Sequence, residues 1–527
     1  MNVHRQLRSS ALTLLIAAAA LTGCDQARQL APENGVPAGR NDGEPVLLVA
    51  NQNKYAPDTV PNLFIDEVEK RFGMKWNYVS VPLSAGIEKF KIMFASGNVP
   101  DMVQTINNFP AIRRWAEAGY LLPIGDYIGE LPNYRKLFSD EEWQEVLDFA
   151  SIDGKLYFLP SKIDVQDPMA WLYRKDAFEQ AGIDGFPQTT EQLYEALKKL
   201  KAFYPMFEGI GVRGGPNDTG IKALLLGFQH AFRLPTDLGG ADGWNGFWND
   251  PDEGGRVVFG PASEKQRDML VYLAKLYREG LIDRGFAALS EEQWAAKRRD
   301  GRDLIDFQWV SQLPGLNRVV AAGGSWDYSR WHLQAYDKPG LEFRPVPFGL
   351  YGPVFGSQLA GEDDKRERLL SYIDWAATDE GSLFHMMGLE NVTYVKDEDG
   401  SGIRYKEGYD RQKVAKQYGF DWFLTKAGGL TLQDDTIAVS REAYGVYSGL
   451  PAVRPRAIPF TEEEWNTVTT AMDRVNEAVY RFATRAVMGL ANAGDDEEWN
   501  RYLQSLDQAG LQDVLAIYRQ YWGEQGS

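Results

Sequence analysis

A single cysteine, Cys24, stands in 527 residues, which excludes an internal disulfide, a cysteine-based zinc site and an iron–sulfur cluster. Histidine is almost as scarce. His4, His230, His332 and His385 are scattered, with none of the His-x-x-x-His or His-Glu-x-x-His spacings of a catalytic zinc site, so neither a metal site nor a cofactor is expected. Basic residues are in deficit too: 56 Lys and Arg face 74 Asp and Glu, for a formal net charge of −18 at pH 7. Binding to nucleic acid or to anionic lipid depends on Lys and Arg, so both partner classes are excluded. After the N-terminal segment no apolar run approaches the roughly eighteen residues of a spanning helix.

What is present is ordinary globular composition, 44% hydrophobic and 25% charged, over a length that one core rarely supports. Two or three lobes follow. At the N-terminus His4, Arg5 and Arg8 precede an apolar run over residues 11–20, the proportions of an export signal. The run ends in Leu21-Thr22-Gly23-Cys24, which resembles the lipobox of bacterial lipoproteins. That resemblance implies cleavage after Gly23, lipid on the Cys24 thiol, and an extracytoplasmic location on the plasma membrane, with membrane contact through the anchor only. Residues 1–23 are thus read as signal peptide. Residues 24–44, polar and rich in Pro and Gly, are read as a flexible tether.

The body opens with strand and helix patterns in alternation. Residues 46–50 (Val-Leu-Leu-Val-Ala) predict a strand buried on both faces, with a polar loop at 51–54 after it. A helix is expected over 61–72, ended by Gly73, then a strand at 76–81, a helix ended by Gly97 and a strand at 101–104. Such an order gives a doubly wound α/β lobe that receives ligands at the strands' C-terminal ends. Farther on, Thr189 with Gln192 and Ser263 with Gln266 predict capping boxes, and Gly280 a helix stop.

Several stretches, in this order, resemble the extracellular solute-binding proteins of bacterial ABC importers. They include Ala95-Ser96-Gly97-Asn98-Val99-Pro100-Asp101, Asp153-Gly154-Lys155-Leu156-Tyr157, Tyr173-Arg174-Lys175-Asp176 and Pro187-Gln188-Thr189. Gly388-Leu389-Glu390-Asn391 departs from the family pattern, with Asn391 where Gly is usual. Residues 486–489 and 499–503 resemble the tail of the family's large lipoprotein branch, the carbohydrate type. The resemblance implies an α/β, two-lobed periplasmic-binding-protein-like fold. Each lobe is expected to be a mostly parallel sheet flanked by helices, with the ligand cleft between. By matching segments, lobe one is expected at 45–163 and 352–395, and lobe two at 164–351 and 396–527.

Trp is abundant, with fifteen copies, and Trp171, Trp244, Trp248, Trp309, Trp326, Trp331 and Trp422 fall in or near expected loops and strand ends. Flat rings beside amide and carboxylate side chains suit the apolar faces and hydroxyl fringe of a sugar. The candidate ligand-binding residues are Asn51, Asn53 and Lys54 after the first strand, Asn107 and Asn108 after the third, and Trp171, Trp309 and Trp326. The resemblance implies that Trp309 stacks on the ligand. Asp397-Glu398-Asp399-Gly400-Ser401 begins like a calcium loop but lacks the closing Glu, since Gly408 stands there. The acidic pairs Asp363-Asp364, Asp434-Asp435 and Asp495-Asp496 sit in polar stretches and read as solvated faces rather than a glycosidase pair. The function expected is therefore a monomeric, lipid-anchored, non-enzymatic carrier that delivers a carbohydrate to ABC permease subunits. A polysaccharide-active glycosidase or lyase, and a ligand sensor for a membrane kinase, are the alternatives.

Overall fold

The computed structural model describes residues 45–53, 62–82, 86–106, 108–163, 167–212, 220–235, 246–320, 323–343, 348–349, 352–396, 402–420, 426–427, 435–453, 458 and 460–523. The signal, the tether and Cys24 lie outside them, as does the calcium-like stretch 397–401.

The first strand runs Val46–Asn53, three residues longer than its apolar core, because Asn51, Gln52 and Asn53 pair onward with Ser80, Val81 and Pro82. The segment expected as a polar loop is therefore strand up to Asn53. Strand Lys75–Pro82 lies parallel on one side, Met102–Ile106 parallel on the other, and Gly352–Phe355 closes the far edge antiparallel. Helix Leu63–Phe72 begins on an Asn62 cap whose Oδ1 accepts from Ile65 N at 3.3 Å. It ends at Gly73, whose φ of 61° is the left-handed turn that a side chain resists. Leu47, Val49, Phe90, Ile112, Phe158 and Tyr372 belong to the core of this sheet, and Val414 and Phe420 contribute to it from much later in the chain.

A second core collects around strands Ile305–Trp309, Met169–Arg174 and Trp326–Tyr328, in that order. Both pairings are antiparallel, so the expectation of a mostly parallel sheet in each lobe holds for the first and is corrected for the second. The reason lies in the connection. Parallel neighbours are set by a short helical crossover. Here helices Thr190–Phe203, Gly220–Gln229 and Glu264–Arg278 intervene between Arg174 and Ile305, and a path that long imposes no direction. Helix Thr190–Phe203 carries the expected capping box on Thr189 and Gln192. At helix Glu264–Arg278 only the serine half forms, Gln266 N donating to Ser263 Oγ at 3.4 Å, because the Gln266 side chain is buried. The long helix Glu462–Val487 and helices Asp496–Gln508 and Leu511–Trp522 complete this core.

Three short strands lie side by side between the two sheets in sequence. Ser161–Ile163 is central, Phe348–Gly349 pairs antiparallel with it, and Lys426–Ala427 pairs parallel on its other edge. Lys162 stands opposite both Phe348 and Lys426. The chain thus passes between its two cores through a hydrogen-bonded ribbon rather than through independent linkers.

Candidate ligand site

At the C-terminal ends of the first sheet the expected residues divide. Asn51 stands beside Ser80, and both Asn51 Oδ1 and Ser80 Oγ are buried with no hydrogen-bond partner among the described residues. Buried polar atoms in that condition are uncommon in native proteins, and they supply an unmet acceptor and a hydroxyl on adjacent strands. Asn108 follows strand Met102–Ile106 and caps helix Phe109–Glu117, its Oδ1 accepting from Ala111 N at 2.9 Å. One of its amide's two functions is thereby committed to the helix. Lys54, Asn107 and the side chain of Asn53 lie outside the described residues, as do Trp244 and Trp422.

The tryptophans separate by burial. Trp171 is 3% exposed and packs among Phe186, Phe228 and Phe307, with ring centroids at 6.2, 5.1 and 5.5 Å. Trp326 is also buried, with the Arg298 guanidinium 5.0 Å from its ring and Asn317 bonding both its backbone groups. The platform reading of Trp171 and Trp326 is corrected: the first lies on the central strand and the second on an edge strand, and other residues cover both, so their indoles become core. Trp248 is core as well, and Trp331 is partly buried with its Nε1 donating to Pro187 O at 2.9 Å. Trp309 differs. It ends strand Ile305–Trp309 opposite Met169 and is 44% exposed, where the four preceding strand residues are buried.

Next to Trp309 stands a residue that sequence reading missed. Val310 N donates to Pro168 O at 3.0 Å, and the following Ser311 N donates to Asp167 Oδ1 at 3.1 Å. Ser440 Oγ, on helix Asp435–Tyr447, donates to the same oxygen at 2.8 Å. Both bonds fall on Oδ1, so the carboxylate is fixed in orientation, and among the described residues no hydrogen bond falls on Oδ2. An open indole at the end of strand Ile305–Trp309 and a carboxylate bonded to the backbone two residues further on supply an apolar platform and a hydroxyl acceptor near one another in the chain. The available signal was a charged Asp-Pro immediately before an apolar strand. Its partners, 144 and 273 residues away, were not legible.

Two open surface grooves, of about 690 and 560 Å³, lie along helices Glu462–Val487 and Thr190–Phe203, and neither includes Trp309, Asp167 or Asn51. Among the described residues no three His, Cys, Asp or Glu side chains are grouped to hold a metal. His385 is buried and His230 partly buried, and both are held neutral: desolvation pulls His230 down to about 3 and His385 to about 4. Asp363 and Asp364 are engaged by Arg366 and Arg368 on the surface of their own helix, at 2.6 and 2.9 Å.

Over residues 53–285 the chain matches the family of bacterial extracellular solute-binding proteins. It is 22% identical over 520 residues to the fructooligosaccharide ABC transporter substrate-binding protein FusA of Streptococcus pneumoniae serotype 4, covering 91% of this chain and 90% of that one. Its fold is similar to that of an extracellular solute-binding protein from Bifidobacterium longum subsp. infantis, with a TM-score of 0.73 at 17% identity over 92% of this chain and 99% of the other. The alginate-binding protein AlgQ2 superposes with a TM-score of 0.68 at 18% identity, over 92% and 98% of the two chains. The two cores joined by crossing strands are the two lobes of that fold.

Proposed function

We propose, from the match of residues 53–285 to the bacterial extracellular solute-binding proteins, that this chain captures a neutral oligosaccharide between its lobes and delivers it to the permease of an ABC importer. The observation that carries this reading is the open Trp309 ring at a strand end, with the Asp167 carboxylate bonded to the backbone of Ser311 just after it. Stacking on an indole suits a pyranose or furanose face, and a carboxylate accepts hydrogen bonds from hydroxyls. Both FusA and AlgQ2 are named for carbohydrate ligands, the first neutral and the second anionic. A carboxylate at the site and a chain charge of −18 favour the neutral class. Asn51, Asn53, Lys54, Asn107 and Asn108 remain the proposed polar ligand contacts in this reading.

The lobes are divided near 163 and 352, with the first lobe also taking in residues 402–420, which support its core through Val414 and Phe420. The protein acts outside the cytoplasm as a monomer, anchored through Cys24. A Cys24→Ala form with its signal intact is expected in the soluble fraction; if it stays with the membrane, the anchor assignment fails. The function itself is tested by a thermal-shift screen of neutral oligosaccharides followed by product analysis of each hit. Stabilisation with the sugar recovered intact is expected. Cleavage products would replace the carrier with a polysaccharide-active enzyme.

A further inference from the structure

Strand Met102–Ile106 runs parallel to strand Val46–Asn53, with Val49 beside Met102 and Ala50 beside Val103. One step on, Gln104 comes level with Asn51, which stands beside Ser80 on strand Lys75–Pro82. Side chains at one level of a parallel ladder share a face, so Gln104, Asn51 and Ser80 form a row across adjacent strands of the first sheet. Gln104 is 5% exposed, and its Oε1, Asn51 Oδ1 and Ser80 Oγ are all buried without a hydrogen-bond partner among the described residues. Each such atom is uncommon in a native interior, and a row of them calls for an occupant. The orientation of Gln104 is set from behind. Gly381 O can only accept, so His385 Nδ1, 2.7 Å away, carries the proton of the neutral ring. Its Nε2 is then bare and accepts from Tyr372 OH at 2.9 Å. Tyr372 has committed its one proton there, so it accepts from Gln104 Nε2 at 3.5 Å. The carboxamide is thereby held with its oxygen, and not its nitrogen, as the unmet group.

We propose that this row is the deep, hydroxyl-reading end of the ligand site: Gln104 Oε1 and Asn51 Oδ1 each accept from a hydroxyl of one neutral sugar ring, and Ser80 Oγ bonds to a further hydroxyl. The assignment rests on the solute-binding reading and deepens it by naming the groups that select the ligand's chemistry. Adjacent strands lie about 4.8 Å apart, which puts the two carboxamide oxygens within the span of a single pyranose or furanose ring. Two acceptors side by side demand donors. A hydroxyl donates as well as accepts, whereas a carboxylate or a phosphate dianion offers only further acceptors and would leave the row unmet. The row sits towards the C-terminal ends of its strands, where a doubly wound sheet receives ligands, and Asn51 and Ser80 as whole residues keep partial exposure. Gln104 thus joins the site from a strand position whose neighbours Met102, Val103 and Ile106 are core.

The test uses Gln104→Met and Ser80→Ala in the full chain, with kestose, raffinose and maltotriose as probes. Without sugar, each variant should melt at or above the wild-type temperature, because each removes an unmet polar atom and the only bond lost is the long one from Gln104 to Tyr372. Titration calorimetry with whichever trisaccharide the wild type binds should then show affinity lowered about tenfold in each variant, the scale of one hydrogen bond left unmade on the ligand. A row that is only interior moves the melting temperature and nothing else, so wild-type affinity in both variants overturns the proposal while leaving the carrier reading intact. Melting temperatures lowered in both variants would show the row already satisfied within the chain, and overturn it as well. A wild type that binds none of the three sugars fails the carrier reading and takes the row with it, an outcome told apart from the others by the wild-type titration alone.

Discussion

Lys162, the centre of the three crossing strands, turns its Nζ back to Glu142 Oε1 at 2.5 Å, a contact with 9% of the lysine and 28% of the glutamate side chain exposed. The same carboxylate closes the capping box of helix Asp140–Ala150, its Oε2 accepting from Ser139 N. Tyr134 OH donates to Pro160 O at 2.7 Å just before the strand, so the central crossing strand is fastened twice to the first lobe. Beyond the crossing, Asp167 is fastened to the second lobe by Ser311 and Ser440.

Glu142→Gln should keep the helix cap while leaving the Lys162 charge unpaired. Removing one partner of a buried pair costs about 3–5 kcal/mol, and partial exposure of Glu142 reduces this to roughly 2 kcal/mol. Urea unfolding at pH 7 reads it, and an unchanged midpoint would contradict the fastening. Burial raises the Glu142 carboxyl, but the Lys162 and Ser139 hydrogen bonds and the Lys162 charge leave it below its ordinary 4.5. Its contribution is therefore complete above about pH 4.5 and fades as pH falls through the lowered folded value.

Two desolvated histidines, His385 buried and His230 partly so, predict a second acid dependence at higher pH. Burial pulls His230 down to about 3, assisted by His332 4.3 Å away, and pulls His385 down to about 4. His385 Nδ1 donates to Gly381 O at 2.7 Å and Nε2 accepts from Tyr372 OH at 2.9 Å, an arrangement of the neutral ring. Below the ordinary 6.5 the unfolded chain takes up protons that the folded one refuses, so stability must fall with pH from 6.5 downward. The slope is about 1.4 kcal/mol per pH unit for each histidine. Unfolding free energies at pH 7, 6 and 5 test it, and a flat profile would contradict the buried, neutral assignment.

Asp303 gives the opposite sign. It is buried beside Asp306, with one cation, Arg298, held between the rings of Trp294 and Trp326 at 4.4 and 5.0 Å. Arg298 Nη1 lies 3.6 Å from Asp306 Oδ2. Burial first, and the Asp306 charge second, push the Asp303 carboxyl well above its ordinary 3.8. Its stability contribution is full below that value and lost as pH rises, so Asp303→Asn should raise the melting temperature at pH 7. A lower melting temperature would show that Asp303 is ionised.

The local grammar of this fold was legible. Apolar runs placed the first three strands, Gly73 and Gly280 stopped helices with φ of 61° and 69°, and Thr189 with Gln192 capped as spaced. Even a departure made sense: Asn391 has φ 64°, the left-handed conformation for which glycine is usual and which asparagine best tolerates among the others. Side-chain alternation did not reveal that Trp171 and Trp326 are covered on both sides, because that depends on helices far away in sequence. Nor could spacing show Asp167 with Ser440 or Lys162 with Glu142, since each pair exists only once the strands cross. The first three strands were readable because they are contiguous, whereas the edge strand Gly352–Phe355 comes from far along the chain. The site was not, because it is assembled from separate segments.

Titration calorimetry of wild type and Trp309→Ala with a neutral oligosaccharide tests the central claim most directly. Wild type should bind one ligand per chain, and the variant should bind about 1–3 kcal/mol more weakly, the scale of one buried aromatic contact. An affinity within about twofold of wild type, less than half a kcal/mol, would remove Trp309 from the site and with it the account of how this protein holds its ligand.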